Sequence, residues 1–488
     1  MPVCTTISRW LLLSVGTVSL VSGAGCGSGG KVVLNSSTGT FTNASLKGSY
    51  VYQLQGASVL SGAAYREAGV FTADGTGKIT GGVDDSSTNI AGTGVTGTYT
   101  VSPDGTGFIS MSTSVGQITL AITLASSSRV DLIENDTSLN AAGTAELQDP
   151  QATGSTPSGT FVFHLHQEAS AQNQSQGASQ VGSLTIQNGA GTGNMDQNLG
   201  GTLTSPALSS TVNPPGQLGR GNASVVDTSA NFTTNLVYYI VNSGKMVLLV
   251  SNSGSVGSGS AELMGGTVTA GLSGSYAFGS RGDDSTSLYG VATVGQFTAT
   301  AGSISGTEDG MQDGNYSPSV SFSNCYSAQA SGRVVVTNCS SASPLQVFWM
   351  VSASRGFFID NTSGRMEDGT ADLQNTSAFT VSGMKGQYAM VMAGIDISPE
   401  LLSRAGTIQF DGSGKLNLTE LVNASASLSG GQSPGALTGT YAVSSNGRVT
   451  ATLNSGGLDL VMYAISGSSA YVLEANTGVV TSGTVDLQ

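Results

Sequence analysis

Ala68-Gly-Val-Phe-Thr-Ala-Asp-Gly-Thr-Gly-Lys-Ile79 reads as one β-hairpin. Apolar and small polar residues alternate on both sides of Asp74-Gly75, and Asp-Gly is a strong hairpin signal because type I′ turns need positive φ at both central positions. The stretch returns near the other end of the chain as Ala405-Gly-Thr-Ile-Gln-Phe-Asp-Gly-Ser-Gly-Lys-Leu416. A second pattern of this kind occurs as Gly97-Thr-Tyr-Thr-Val-Ser-Pro-Asp-Gly-Thr-Gly107 and again as Gly439-Thr-Tyr-Ala-Val-Ser-Ser-Asn-Gly-Arg448. Beyond the N-terminus no stretch sustains a 3.6-residue apolar period, and abundant Gly, Ser and Thr with little Leu, Lys or Glu disfavour helix. The chain is predicted to be all-β.

Outward from these hairpins, whole domains repeat. Gly143-Thr-Ala-Glu-Leu-Gln148, Gly259-Ser-Ala-Glu-Leu-Met264, Gly369-Thr-Ala-Asp-Leu-Gln374 and Gly483-Thr-Val-Asp-Leu-Gln488 recur at separations of 116, 110 and 114 residues. Gly48-Ser-Tyr50, Gly159-Thr-Phe161, Gly274-Ser-Tyr276 and Gly386-Gln-Tyr388 open the same four units. A unit of about 105 residues is long enough to close its own core, unlike a solenoid repeat. The expected organisation is a signal peptide over 1–25, a flexible tether over 26–45, and β-repeats over 46–149, 158–264, 272–374 and 384–488. In the first repeat, strands are predicted near 48–56, 66–73, 77–84, 94–101, 106–113, 117–124, 129–135 and 142–147. Eight hairpin-connected strands favour an up-and-down barrel, because pairing the last strand with the first removes exposed edges. A two-sheet sandwich is the alternative. Brief linkers suggest beads with limited freedom rather than one fused body.

Only 9% of residues are charged, and 30 Asp and Glu oppose 16 Lys and Arg, giving a formal net charge of −14. With no basic stripe, a nucleic-acid partner is not expected. An acidic, Ser/Thr/Gly-rich surface suits an extracytoplasmic protein.

Arg9 precedes the apolar run Trp10–Val21, which is followed by Ser22-Gly-Ala-Gly-Cys26, the layout of a secretory signal. The run is short for a transmembrane span. The small residues ending at Cys26 resemble the lipobox of bacterial lipoproteins, in which the signal is removed and the cysteine takes a diacylglycerol. The resemblance implies a lipid anchor at Cys26 and an envelope location, the outer membrane above all. The Gly-, Ser- and Thr-rich residues that follow read as the tether. The repeats, with glycine-aromatic openings and Asp-Gly turns, resemble repeat lipoproteins of environmental Gram-negative bacteria, a likeness that implies no catalytic residues.

Cys325 and Cys339 flank two short strands around Ser331-Gly332-Arg333. A pairing that sets Ala330 opposite Val334 also sets Cys325 opposite Cys339, so a disulfide is expected, worth about 3 kcal/mol at this loop length. His164, His166 and Glu168 share one strand face at spacing two, which suits a metal, but no other copy has histidine there, so a polar strand face is the preferred reading. Asp74-Gly-Thr-Gly77, Asp104-Gly-Thr-Gly107 and Asp411-Gly-Ser-Gly414 lack the further carboxylates of calcium loops and read as turn chemistry. Arg281-Gly282-Asp283 is taken as chance.

No nucleophile–base–orienter set, nucleophile elbow or phosphate loop stands out. The recurring acids Glu146, Glu262, Asp372 and Asp486 are expected to face solvent. The leading expectation is a non-enzymatic, cofactor-free surface protein, displaying four β-domains for adhesion or structural interaction. The alternative is binding of a small apolar or sugar ligand in barrel cavities lined by aromatics such as Tyr50, Tyr276 or Tyr388. A hydrolase using paired carboxylates comes third.

Overall fold

A computed structural model describes residues 40–488 apart from 136, 170–176, 267, 269–270, 285–289, 363–364, 397–399, 425–434 and 455–456. The signal segment, Cys26 and most of the tether lie outside the described residues. In the first copy, strands run over Lys47–Ser58, Ala64–Asp74, Lys78–Ser86, Thr96–Val101, Thr106–Thr113, Gly116–Ser126, Arg129–Glu134 and Leu139–Leu147. Each is antiparallel to the next, and the last returns to the first with Leu147 opposite Tyr50. All four copies close in this way into eight-stranded barrels, so the sandwich is set aside. The first barrel also carries a short strand, Asn89–Gly94, against Lys78–Ser86. Its Asn-Ile-Ala-Gly-Thr-Gly has no apolar alternation to announce it.

The turn glycines are required by their backbone. Gly75 and Gly105 sit at φ 84° and 87°, while the preceding aspartates cap the turn: Asp74 accepts from the Thr76 amide at 2.6 Å and Asp104 from the Thr106 amide at 3.0 Å. In these turns only glycines have positive φ, and the aspartates do not. Asn188-Gly189 and Asp313-Gly314 have positive φ at both positions, as a type I′ turn demands.

Alternation sends one face of every strand inward. Tyr50, Tyr52, Phe71, Ile109, Leu120 and Leu132 form part of the first barrel's core. The other face corrects the expectation of separate beads. Apolar outward residues of adjacent barrels pack together, as Val51, Val70, Val237 and Leu249 do between the first and second. The described residues from 40 onward form one compact body, so the beads are fused.

The closing-strand motif supplies the joints. Glu146 of the first barrel pairs with Lys245 of the second at 2.6 Å, and Glu262 of the second with Arg355 of the third at 2.9 Å. Asp372 of the third accepts the hydroxyl of Tyr471 in the fourth, and Asp486 of the fourth lies 3.2 Å from Arg129 of the first. The acids thus link each barrel to the next and the last to the first, closing a ring. They looked solvent-facing because their partners lie in other copies. Three of the motif's final residues act similarly. Gln148, Gln374 and Gln488 donate to the carbonyls of Ile240, Ala464 and Leu124 in the following barrel, at 2.7, 2.8 and 2.6 Å.

Three of the four interfaces contain a buried ion pair. Asp85 accepts from Arg220 and Tyr239, Asp196 from Arg333 and Trp349, and Asp309 from Arg448 and Tyr463. At the fourth interface the strand register puts Leu421 at the aspartate position, Thr106 at the arginine position and Thr123 at the aromatic position. Leu421 packs there with Ala121, Ile133 and Val391. Acid, base and aromatic changed together, consistent with the cost of leaving one buried charge without its partner.

Cys325 and Cys339 are bonded, with Cα atoms 4.9 Å apart. The register differs from the one expected: Ala328 faces Val334 and Cys325 faces Thr337. Cys339 therefore lies just past the end of the strand Arg333–Thr337.

Candidate functional site

The second barrel is hollow. Its interior contains a cavity of about 560 Å³, within the usual range of about 300–1,000 Å³ for small-molecule sites. Its floor and walls include Phe161, Leu184, Val212, Leu236 and Leu248, and its rim includes Leu199 and Phe232. The rim pair are 41% and 54% exposed, which marks the end open to solvent.

The hollow follows from residue size at matched positions. Tyr50 stands opposite Phe71, Tyr276 opposite Phe297 and Tyr388 opposite Ile408, whereas Phe161 stands opposite Leu184. The register likewise aligns Tyr99, Tyr326 and Tyr441 with Val212. Those three tyrosines donate to the carbonyls of Leu46, Leu272 and Val381, at 2.8, 2.6 and 2.8 Å, plugging one end of their barrels. Val212 cannot. The expectation that Tyr50, Tyr276 and Tyr388 line cavities is corrected: all three are fully buried in the cores of the other barrels, where their hydroxyls donate to turn carbonyls of Ser127, Ala353 and Gly467.

Towards the mouth, glutamines from three adjacent strands face the cavity. Gln167 donates to Gln180 at 2.9 Å, Gln180 to Gln197 at 3.0 Å, and Gln197 to Thr204 at 3.0 Å. Gln167 occupies a position that is Gly56, Gly282 and Gly394 in the other barrels, and Gly257 opposite it makes the room. A Cβ on Gly257 would come within 2.7 Å of the His166 carbonyl oxygen.

The histidines are on the outward face of the same strand. His166 Nδ1 lies 2.7 Å and His164 Nδ1 3.3 Å from the carboxylate of Asp368, in the third barrel. Burial pushes Asp368 up, but the two imidazoles hold it far below the carboxylate range. Burial pushes His166 down, but Asp368 and nearby carboxylates leave it raised. Glu168 pairs with Arg66 of the first barrel at 2.5 Å. His164, His166 and Glu168 thus take part in a three-barrel junction, and among the described residues no cluster of His, Cys, Asp and Glu is arranged to hold a metal ion. Arg281 of the Arg-Gly-Asp tripeptide joins this junction, donating to Gln55 at 2.6 Å from within the strand Gly274–Asp284.

Sequence reasoning did not identify the carboxylate pair inside the first barrel. The Tyr52 hydroxyl lies 2.6 Å from Asp84 and 3.2 Å from Glu67. Burial first, and the Asp84 charge second, push Glu67 well above its usual range. Both acids have no exposed surface, so this pair faces no cleft that a substrate could enter.

Fold and cavity together define a tandem β-barrel protein with a small-molecule-sized hollow in its second barrel. No model of a known protein family matches the chain, and no curated protein does. Among solved structures, similarity is found to isotype 1 transferrin binding protein B from serogroup B Neisseria meningitidis, 10% identical, covering 74% of this chain and 83% of that one, with a TM-score of 0.20. A transferrin binding protein B from Haemophilus parasuis Hp5 is 9% identical, covering 76% and 82%, with a TM-score of 0.19. At this TM-score the likenesses carry no argument about this chain.

Proposed function

We propose that this is an exported, non-enzymatic binding protein, tethered through Cys26, whose second barrel encloses a small apolar ligand while the other three serve as its rigid support. One observation carries the reading. In a single molecule, one fold is built four times, and the cavity described above lies in the copy that lacks the plugging tyrosine. An engineered hollow lined by apolar side chains stays dry and takes apolar guests, because water gains too few hydrogen bonds there. Here the polar groups gather near the mouth, the arrangement that orients a ligand with one polar end.

Display of four domains for adhesion is the broader reading, and the fused ring supplies a rigid body for it. The cavity gives the narrower one its support. The test is titration with N-phenyl-1-naphthylamine, a neutral fluorescent apolar probe. Saturable binding at one site per chain is expected, and it should be lost in Leu184→Phe/Val212→Tyr, which restores the side chains of the third barrel. Absence of saturable binding, or equal binding by the filled variant, refutes the proposal.

A further inference from the structure

The level at which the glutamines sit distinguishes the second barrel from the other three in charge as well as in space. Gln180 aligns with Glu67, Thr293 and Arg404 of the first, third and fourth barrels. In the first barrel Glu67 is joined by Asp84. In the third, Thr293 donates to the buried Glu367 at 3.2 Å. In the fourth, Arg404 is held between Glu420 and Glu474 at 3.1 and 3.3 Å. Each of those interiors contains ionisable side chains at this level. The second replaces them with primary amides, and among the described residues no lysine or arginine lines its cavity.

The two carboxylates that reach the cavity are already engaged. Glu168 is held by Arg66, and Asp227 accepts from the amides of Ser229 and Ala230 at 2.8 and 3.0 Å. Arg66 offsets the charge of Glu168, so the negative potential at the mouth comes from Asp227, held below its usual range by its turn partners against the effect of burial. An anionic head group would lose its water without gaining a free cation, and would sit beside this charge. An amide carries both donors and an acceptor, so the glutamine row can match a hydroxyl, an ester or an amide in either sense.

Building on the binding reading above, we infer that the cavity takes a single-chain aliphatic ligand with one uncharged hydrogen-bonding head, of the fatty-alcohol or monoacylglycerol class, and discriminates against fatty acids. At about 30 Å³ per water-sized group, 560 Å³ holds on the order of 18 heavy groups. A chain of about a dozen carbons with a small head fits that space, and the exposed Phe232 and Leu199 extend an apolar lip for a longer one.

The experiment uses the full chain with bound N-phenyl-1-naphthylamine, displaced at pH 8 by 1-dodecanol, dodecanoate or dodecylamine. Dodecanol is expected to displace at least about tenfold more effectively than dodecanoate. Gln180→Glu should weaken dodecanol, and Gln180→Leu should bring the alcohol-to-acid ratio towards one. Dodecanoate binding as well as or better than the alcohol would overturn the head-group assignment while leaving the cavity reading intact, as would the amine binding best. Failure of every compound and of the probe itself would overturn the cavity reading and this inference with it.

Discussion

Removing one carboxylate at the joint between the first two barrels should destabilise the whole ring, and its cost follows from the contacts. Asp85 has no exposed surface. It accepts from Arg220 Nε at 2.6 Å and Nη2 at 2.9 Å, from the Gly92 amide at 2.8 Å, and from the Tyr239 hydroxyl. Asp85→Ala strands a guanidinium whose side chain is only 20% exposed, together with a buried hydroxyl. Breaking a buried pair from one side costs about 3–5 kcal/mol. Arg220 keeps some water and the Ile90 carbonyl at 3.3 Å, which puts the expectation at the lower end, about 3 kcal/mol. The triple variant Asp85→Leu/Arg220→Met/Tyr239→Phe removes the charged and hydroxyl partners while keeping volume, and leaves the amide of the half-buried Gly92 as the one polar group to be met by water. It should return to within about 1.5 kcal/mol of the parent, since apolar replacement of a buried ion pair is often neutral or favourable. The fourth interface, with Leu421, Thr106 and Thr123, already uses an apolar solution. The assay is urea denaturation followed by tyrosine and tryptophan fluorescence, with hydrogen exchange of Val237 and Leu249 to localise the loss. A cost under about 1 kcal/mol for Asp85→Ala, or a triple variant as unstable as the single, would refute the reasoning.

Three further outcomes are expected. Burial raises Glu367 to about 8 from the 4.5 of a free glutamate, so between those values the folded state binds a proton that the unfolded state has lost. Stability from this group is therefore fully present below the unfolded value and falls as pH rises towards 8, by at most about 1.4 kcal/mol per unit. Glu367→Gln should flatten that decline and exceed the parent's stability at pH 8.5, as checked by thermal melts across pH; an unchanged profile would contradict the assignment. Cys325→Ser/Cys339→Ser should lose about 3 kcal/mol, since the bond closes a loop with a sequence separation of 14. Hydrogen exchange should then localise the loss to the third barrel. Asp368→Asn should weaken the junction of the second and third barrels and return His166 towards ordinary titration, a change visible in its imidazole NMR shifts.

The strands were legible because period-two alternation and Asp-Gly turns are local signals. Seven of the first barrel's eight predicted strands differ from the observed bounds by two residues or fewer at each end, and the last differs most, where its edge extends beyond the apolar run: Leu139–Leu147 begins at 139 rather than 142. The short Asn89–Gly94 was not legible, since glycine and polar residues carry no face preference. The ring was hidden for a different reason. An acid on the outward face near the end of a closing strand looks solvated until its partner is known, and Glu146, Glu262, Asp372 and Asp486 find theirs in separate copies. The cavity had a readable signal. Superposing the copies on their turns sets Val212 against Tyr99 and Tyr441, whereas the opening aromatics Tyr50, Tyr276 and Tyr388 mark the barrels that are filled. The histidines had the right spacing for a shared face, and that face meets Asp368.

Closure of the ring is tested most directly by cross-linking its two ends. Arg129→Cys/Asp486→Cys, in a chain beginning at Ser37 with the native disulfide intact, would replace a side-chain pair 3.2 Å apart and be treated with a short bismaleimide at dilute protein concentration. An intramolecular link joining the peptides that contain positions 129 and 486 is the result expected of a fused four-barrel ring. Adducts attached at one end only, or links formed only between molecules, would show that the first and fourth barrels do not meet.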